Sequence, residues 1–183
     1  MRAKFFIPRI LCCIVLVILV PLQSIHAQRG LFATQQELIG SKLWKFEFTE
    51  WLANQPADSG YKTKFKVLEF WATWCQPCLD AIPHINQLQQ KFSDSNIVFF
   101  SITHQTAAET SKTLKKYNFE TIVVSDSTRM IHSLLRIANR GGMVLPRTVI
   151  LDEENRIRWY GTPNALTEEL IQYFLKKLYL PPE

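Results

Sequence analysis

Val67-Leu68-Glu69-Phe70-Trp71-Ala72-Thr73-Trp74-Cys75-Gln76-Pro77-Cys78 decides the reading of this chain. Its first half is a nearly continuous apolar run, the pattern of a strand buried on both faces. Its second half is a Cys-x-x-Cys turn from which a helix is expected to start, and Pro77 suits the first helical turn, where its missing N–H costs nothing. A thiol at a helix N-terminus lies near the positive end of the helix dipole and near unpaired backbone N–H groups. Both favour the thiolate, the nucleophile of disulfide exchange. Cys75 is therefore the candidate nucleophile, expected to be the more exposed thiol with a pKa below the free value of about 8.5. Cys78, one turn further on, is the candidate resolving thiol. The competing readings are an inert buried pair or half of a zinc site. Zinc needs about four ligands, and His84 and His104 have no convincing spacing to complete the set.

Working outward, the chain resembles the thioredoxin superfamily, and within it the exported thiol-disulfide reductases of the TlpA/ResA type. The resemblance is carried by the aromatic run Phe70-Trp71-Ala72-Thr73-Trp74 before Cys75-Gln76-Pro77-Cys78, by Pro83, and by the strand entry Leu145-Pro146-Arg147-Thr148. It covers roughly residues 43–178. Cys-x-x-Cys alone would be weak, because zinc sites share it. The resemblance implies an α/β thioredoxin-like fold: a central mixed β-sheet flanked by helices, with an N-terminal extension and an αβ insert over 107–124.

Several roles follow from the resemblance. Glu69 occupies the position where thioredoxins place a buried Asp that relays the proton of the resolving cysteine. It is thus a candidate general base for Cys78 with a raised pKa, because a buried carboxylate is costly unless neutral or partnered. The alternative is a solvent-facing Glu69 paired with Lys66 or another lysine. Pro146 matches the cis-proline that faces the Cys-x-x-Cys turn and presents the backbone of Leu145 to an extended substrate; an ordinary trans proline is the alternative. Trp74, Gln76 and Pro77 complete the expected docking face, while Trp71 reads as core. The family often carries Glu three residues after the second cysteine. Here that position is Ala81, with Asp80 beside it, so that role does not transfer. His84 and His132 read as surface residues.

The N-terminus has the three-part layout of a secretory signal peptide: Arg2, Lys4 and Arg9, an apolar run over 10–22, and a small residue at Ala27. The apolar run falls short of the ~20 residues that a spanning helix needs. We expect residues 1–27 to be a cleaved signal, 28–41 a polar lead-in, and 42–183 the thioredoxin-like domain. An uncleaved anchor, tethering the domain to the inner membrane, is the alternative. Cys12 and Cys13 leave with the signal, so the exported, periplasmic chain keeps Cys75 and Cys78, too few and too closely spaced for a structural disulfide framework. The formal charge of +5 falls to about +2 without Arg2, Lys4 and Arg9, and the remaining Lys and Arg are scattered, so nothing argues for nucleic acid.

The remaining pattern predicts strands at 42–48, 66–71, 97–102, 119–124, 147–152 and 156–160. Helices are expected after Cys78 (kinked by Pro83), over 107–117 (N-capped by Thr106), over 127–137 and over 166–178. The expected activity is thiol-disulfide exchange, mainly reduction of protein disulfides, recharged by a membrane electron donor and needing no organic cofactor or metal. Two alternatives are a haem-delivery partner in cytochrome c maturation and a thiol peroxidase of the same fold. The peroxidase pattern Thr-x-x-Cys is not met, because Thr73 stands two residues before Cys75.

Overall fold

Strand β2 (Phe65–Phe70) is buried along its whole length, because it lies inside the sheet and is covered on both faces. The computed structural model describes residues 35–139 and 142–177. The expected signal (1–27) and the first half of the lead-in (28–34) lie outside them. Leu38–Glu183 form one compact unit, and Met1–Glu37 separates as another, of which only 35–37 are described.

The other strands are β1 (Glu50–Ala53), β3 (Ile97–Thr103), β4 (Ile122–Ser125), β5 (Ala138–Asn139), β6 (Gly142–Met143), β7 (Arg147–Leu151) and β8 (Ile157–Gly161). The helices are α1 (Gln76–Asp80), α2 (Ile82–Lys91), α3 (Ala107–Lys116), α4 (Met130–Leu134) and α5 (Glu168–Leu175). The main sheet has the order β1-β4-β3-β2-β7-β8, and β5 and β6 form a separate small ladder. β2 runs parallel to β3 and antiparallel to β7, so Glu69 lies between Ser101 and Thr148. The mixed α/β architecture expected from the sequence is present.

The period of two along β2 divides the core. Phe65 and Val67 join Ile85 and Leu88 of α2, Phe92 just past its end and Phe174 of α5 on one face. Leu68 and Phe70 join Phe100, Ile102, Ile131 and Leu135 on the other. Burying side chains of this size contributes about 1.5–3 kcal/mol each. A third cluster gathers Trp71, Cys75, Cys78, Leu79, Ile82 and Phe119 at the C-terminal end of β2.

Four expectations need correction. The alternation at 42–48 does not make a strand: only Lys42 bridges, to Arg156. Phe46 and Phe48 instead set their rings 5.4 Å from Phe100, so the apolar positions are satisfied by aromatic packing, and the strand forms later, at β1. The helix after Cys78 is two helices rather than one kinked helix. Pro83 has no N–H for the i−4 carbonyl, and the break falls at Ala81. The 127–137 helix shrinks to α4, because Arg129 takes a left-handed φ of 58° and the Asp126 carboxylate accepts from the Met130 and His132 amides. The 119–124 strand starts only at Ile122. Residues before it are held by side chains, with Asn54 Nδ2 donating to the carbonyls of Phe119 and Thr121. The capping box of Thr106 and Glu109 on α3 is as expected.

Candidate active site

Cys75 and Cys78 stand where β2 ends and α1 begins, joined in a disulfide with their Cα atoms 5.3 Å apart. The Cys75 carbonyl accepts from the amides of Cys78 and Leu79, which fixes the turn. Pro77 lies in the first turn of α1, as the sequence led us to expect. The expected difference in exposure is absent: Cys75 is 5% exposed and Cys78 3%. Both cysteines belong to one buried apolar cluster, and Leu145 packs against it.

The segment leading into the disulfide is clamped. Gln105 Oε1 accepts from the Thr73 amide at 2.7 Å, and Gln105 Nε2 donates to Thr73 Oγ1 at 2.9 Å. Trp74, beside Cys75, is 61% exposed and offers a flat apolar face at the rim. Gln76 points outward and donates to Asp80. The Leu145–Pro146 peptide bond is cis, as the resemblance implied, and both residues are partly exposed.

Glu69 is buried, which excludes the solvent-facing alternative. Lys66 is not its partner: Lys66 Nζ donates to the carbonyls of Lys62 and Lys64. Thr148 Oγ1 donates to Glu69 Oε2, while Oε1 has no hydrogen-bond partner among the described residues. Burial pushes the Glu69 carboxyl well above the usual range, against the opposing pull of the Thr148 hydrogen bond and the Arg147 charge. Glu69 and Cys78 line one small cavity of about 10 Å³, together with Trp71, Asn86, Ser101 and Thr121. That volume suits about one water-sized molecule. Among the described residues, no cluster of His, Cys, Asp and Glu could hold a metal.

The family profile of AhpC/TSA matches residues 39–160. The chain belongs to the AhpC/TSA family. Within this thioredoxin-like family it is similar to the thiol-disulfide oxidoreductase ResA of Bacillus thuringiensis, 24% identical over 90% of this chain and 93% of that one. Among solved structures, a thiol-disulfide oxidoreductase from Bacteroides fragilis superposes with a TM-score of 0.52 at 20% identity, over 67% of this chain and 86% of that one. The mitochondrial 2-Cys peroxiredoxin of Plasmodium falciparum superposes with a TM-score of 0.59 at 17% identity, over 78% and 94%. Both structures bear on the fold. With the Cys75–Cys78 pair at disulfide distance, this AhpC/TSA-family chain is a thiol-disulfide oxidoreductase.

Sequence reading missed several residues around this site. Thr148 was visible only as part of the strand-entry motif, and nothing local marked it as the donor to Glu69. Gln105 carries no motif signal. His132, read as a surface residue, is fully buried and bonded to Asp126. His84 is half-buried, with Nε2 2.9 Å from the Leu166 carbonyl.

Proposed function

We propose that this chain is an exported reductase of protein disulfides, with Cys75 as nucleophile, Cys78 as resolving thiol and Glu69 as the base that serves Cys78. The observation that carries the reading is the shared cavity of Glu69 and Cys78 behind the Cys75–Cys78 disulfide. A carboxyl held at a raised pKa can take a proton from a thiol near neutral pH and return it later.

The reaction balances as two successive exchanges. In the reduced enzyme, the Cys75 thiolate attacks one sulfur of the substrate disulfide. A Cys75–substrate disulfide forms, and the other substrate sulfur leaves as a thiolate that takes a proton from solvent. Cys78 then loses its proton to Glu69 across the cavity and attacks Cys75 Sγ. The second substrate thiolate leaves, and the enzyme holds the Cys75–Cys78 disulfide. Two electrons have passed to the substrate, and a membrane electron donor must return two to the enzyme. Trp74, Gln76 and Pro77 on one side and Leu145–Pro146 on the other form the docking face for the extended substrate chain. The layout of residues 1–27 supports export to the periplasm, with inner-membrane attachment if the signal is not cleaved.

Insulin reduction with dithiothreitol as the electron source tests the reading, with Cys75→Ser as control. Turnover should be lost in the variant, and turnover at the parent rate would remove the catalytic claim. The reduction potential tests the direction. A value near about −270 mV fits a reductase, and one near about −120 mV makes the chain an oxidant. Peroxide consumption without a dithiol partner would instead favour the peroxidase reading.

A further inference from the structure

Three side chains that the reaction above does not use run from the interior to the rim of the site. Asp126, at the end of β4, is buried, and its carboxylate accepts from the amides of Met130 and His132 and from Thr128 Oγ1. Its Oδ2 lies 2.7 Å from His132 Nδ1, and His132 is itself fully buried on α4. With Nδ1 turned to the Asp126 carboxylate, the other ring nitrogen, Nε2, faces away from it. That atom is buried with no hydrogen-bond partner among the described residues.

The next ring outward is His104, which follows β3. It stands edge-on to His132, with centroids 5.7 Å apart and planes at 85°. His104 Nδ1 is also buried without a hydrogen-bond partner among the described residues. On its outer side His104 faces the Trp74 ring at 6.3 Å, and Trp74 adjoins Cys75. The loops bearing His104 and Trp74 are tied to each other through the paired hydrogen bonds of Gln105 and Thr73. The ionisable groups that face His104 are His132 from α4, Arg129 and Asp126 from the turn before it, and Glu109 from α3. Burial, reinforced by the positive charges of His132 and Arg129, holds His104 below the usual imidazole range, and the two carboxylates oppose that shift.

We propose that His104 is a positioning residue for the dithiol site: backed by the buried Asp126–His132 pair, it braces Trp74 and couples its own charge to that of the reduced Cys75 thiol. This rests on the redox reading given above. A proton on His104 puts positive charge at a partly desolvated rim, where it favours the Cys75 thiolate and lies beside the Trp74 ring. A thiolate at Cys75 favours the imidazolium in return, because coupling between two sites is reciprocal. Oxidation to the disulfide removes the sulfur charge, so His104 should hold its proton less well in the oxidised enzyme.

The test is an NMR pH titration of the histidine ring protons in the full chain, in its oxidised and fully reduced forms, with His104→Gln assigning the signal. The His104 midpoint should lie higher in the reduced form by about half a unit or more. Coinciding titration curves in the two forms overturn the inference. Reading the same coupling from the sulfur, His104→Gln should lower the rate of iodoacetamide alkylation at Cys75 of the reduced chain below about pH 7 by two-fold or more. An unchanged alkylation profile also counts against the inference. A chain that reduces insulin while its His104 titrates alike in both forms defeats this inference alone, whereas a chain that fails to reduce insulin defeats the reductase reading.

Discussion

Glu69 on β2 and Cys78 on α1 line the same small cavity, one offering a buried carboxyl and the other a buried sulfur. The strand fixes the carboxyl through Thr148, and the Cys-x-x-Cys turn fixes the sulfur. In the proposed mechanism the proton of Cys78 passes to Glu69 across this cavity. In Glu69→Gln, resolution of the mixed disulfide should slow by about ten- to a hundred-fold, while the first attack by Cys75 changes much less. Rapid-mixing kinetics with a fluorescent disulfide substrate separate the two steps. Equal slowing of both would make Glu69 a structural residue.

Glu69 should also leave a mark on stability. Its carboxyl titrates well above the usual range because burial disfavours the charge. The folded state thus binds a proton that the unfolded chain has already released, and folding loses stability as pH rises from the ordinary carboxyl range towards the raised value. The contribution is fully present at acid pH. Urea titrations across pH should show this decline in the parent and a flatter profile in Glu69→Gln.

Thr148→Val removes the hydroxyl that donates to Glu69. That hydrogen bond opposes the upward shift, so its loss should push the Glu69 carboxyl higher and move the pH dependence of the resolution step to higher pH. Leaving a buried acceptor unsatisfied should cost about 1–3 kcal/mol. Urea denaturation reads the second effect, and the pH profile of resolution reads the first.

Lys66 provides an independent pH marker on the opposite face of β2. Burial lowers its ammonium pKa to about 8, despite the favourable charges of Asp152 and Glu153. Between about pH 8 and the ordinary lysine value, the unfolded chain holds a proton that the folded chain has released, so this group makes stability rise with pH over that window. Lys66→Met should abolish the rise, and thermal melts from pH 7 to pH 10 would show it.

Thr106→Ala dismantles the capping box at the start of α3, in which Thr106 accepts from the Glu109 amide and Glu109 accepts from the Thr106 amide. The expected loss is about 0.5–2 kcal/mol, read by urea denaturation.

The alternation of 42–48 shows why a local pattern can mislead. Phe46 and Phe48 are apolar at alternate positions, yet their burial comes from ring packing on Phe100 without a hydrogen-bonded ladder. Period two reports which side chains turn inward and says nothing of which backbone they lie beside. His132 failed for a related reason. A polar ring is read as exposed unless a partner is known, and its partner Asp126 is held in place by the left-handed turn at Arg129, which no residue type there announces.

The residues of 67–78 were enough to determine a buried strand, a redox turn and the helix after it, because apolar runs, cysteine spacing and proline act through the local chain. They also nominated Glu69, since a carboxylate inside an apolar strand needs a reason to be there. Tertiary structure alone decided that Glu69 and Cys78 share a cavity, that Thr148 holds the carboxyl, and that Asp126, His132 and His104 line up towards Trp74. Those relations join strands and helices far apart in sequence, and they are set by sheet register and by the packing of whole elements, which no short stretch of residues encodes.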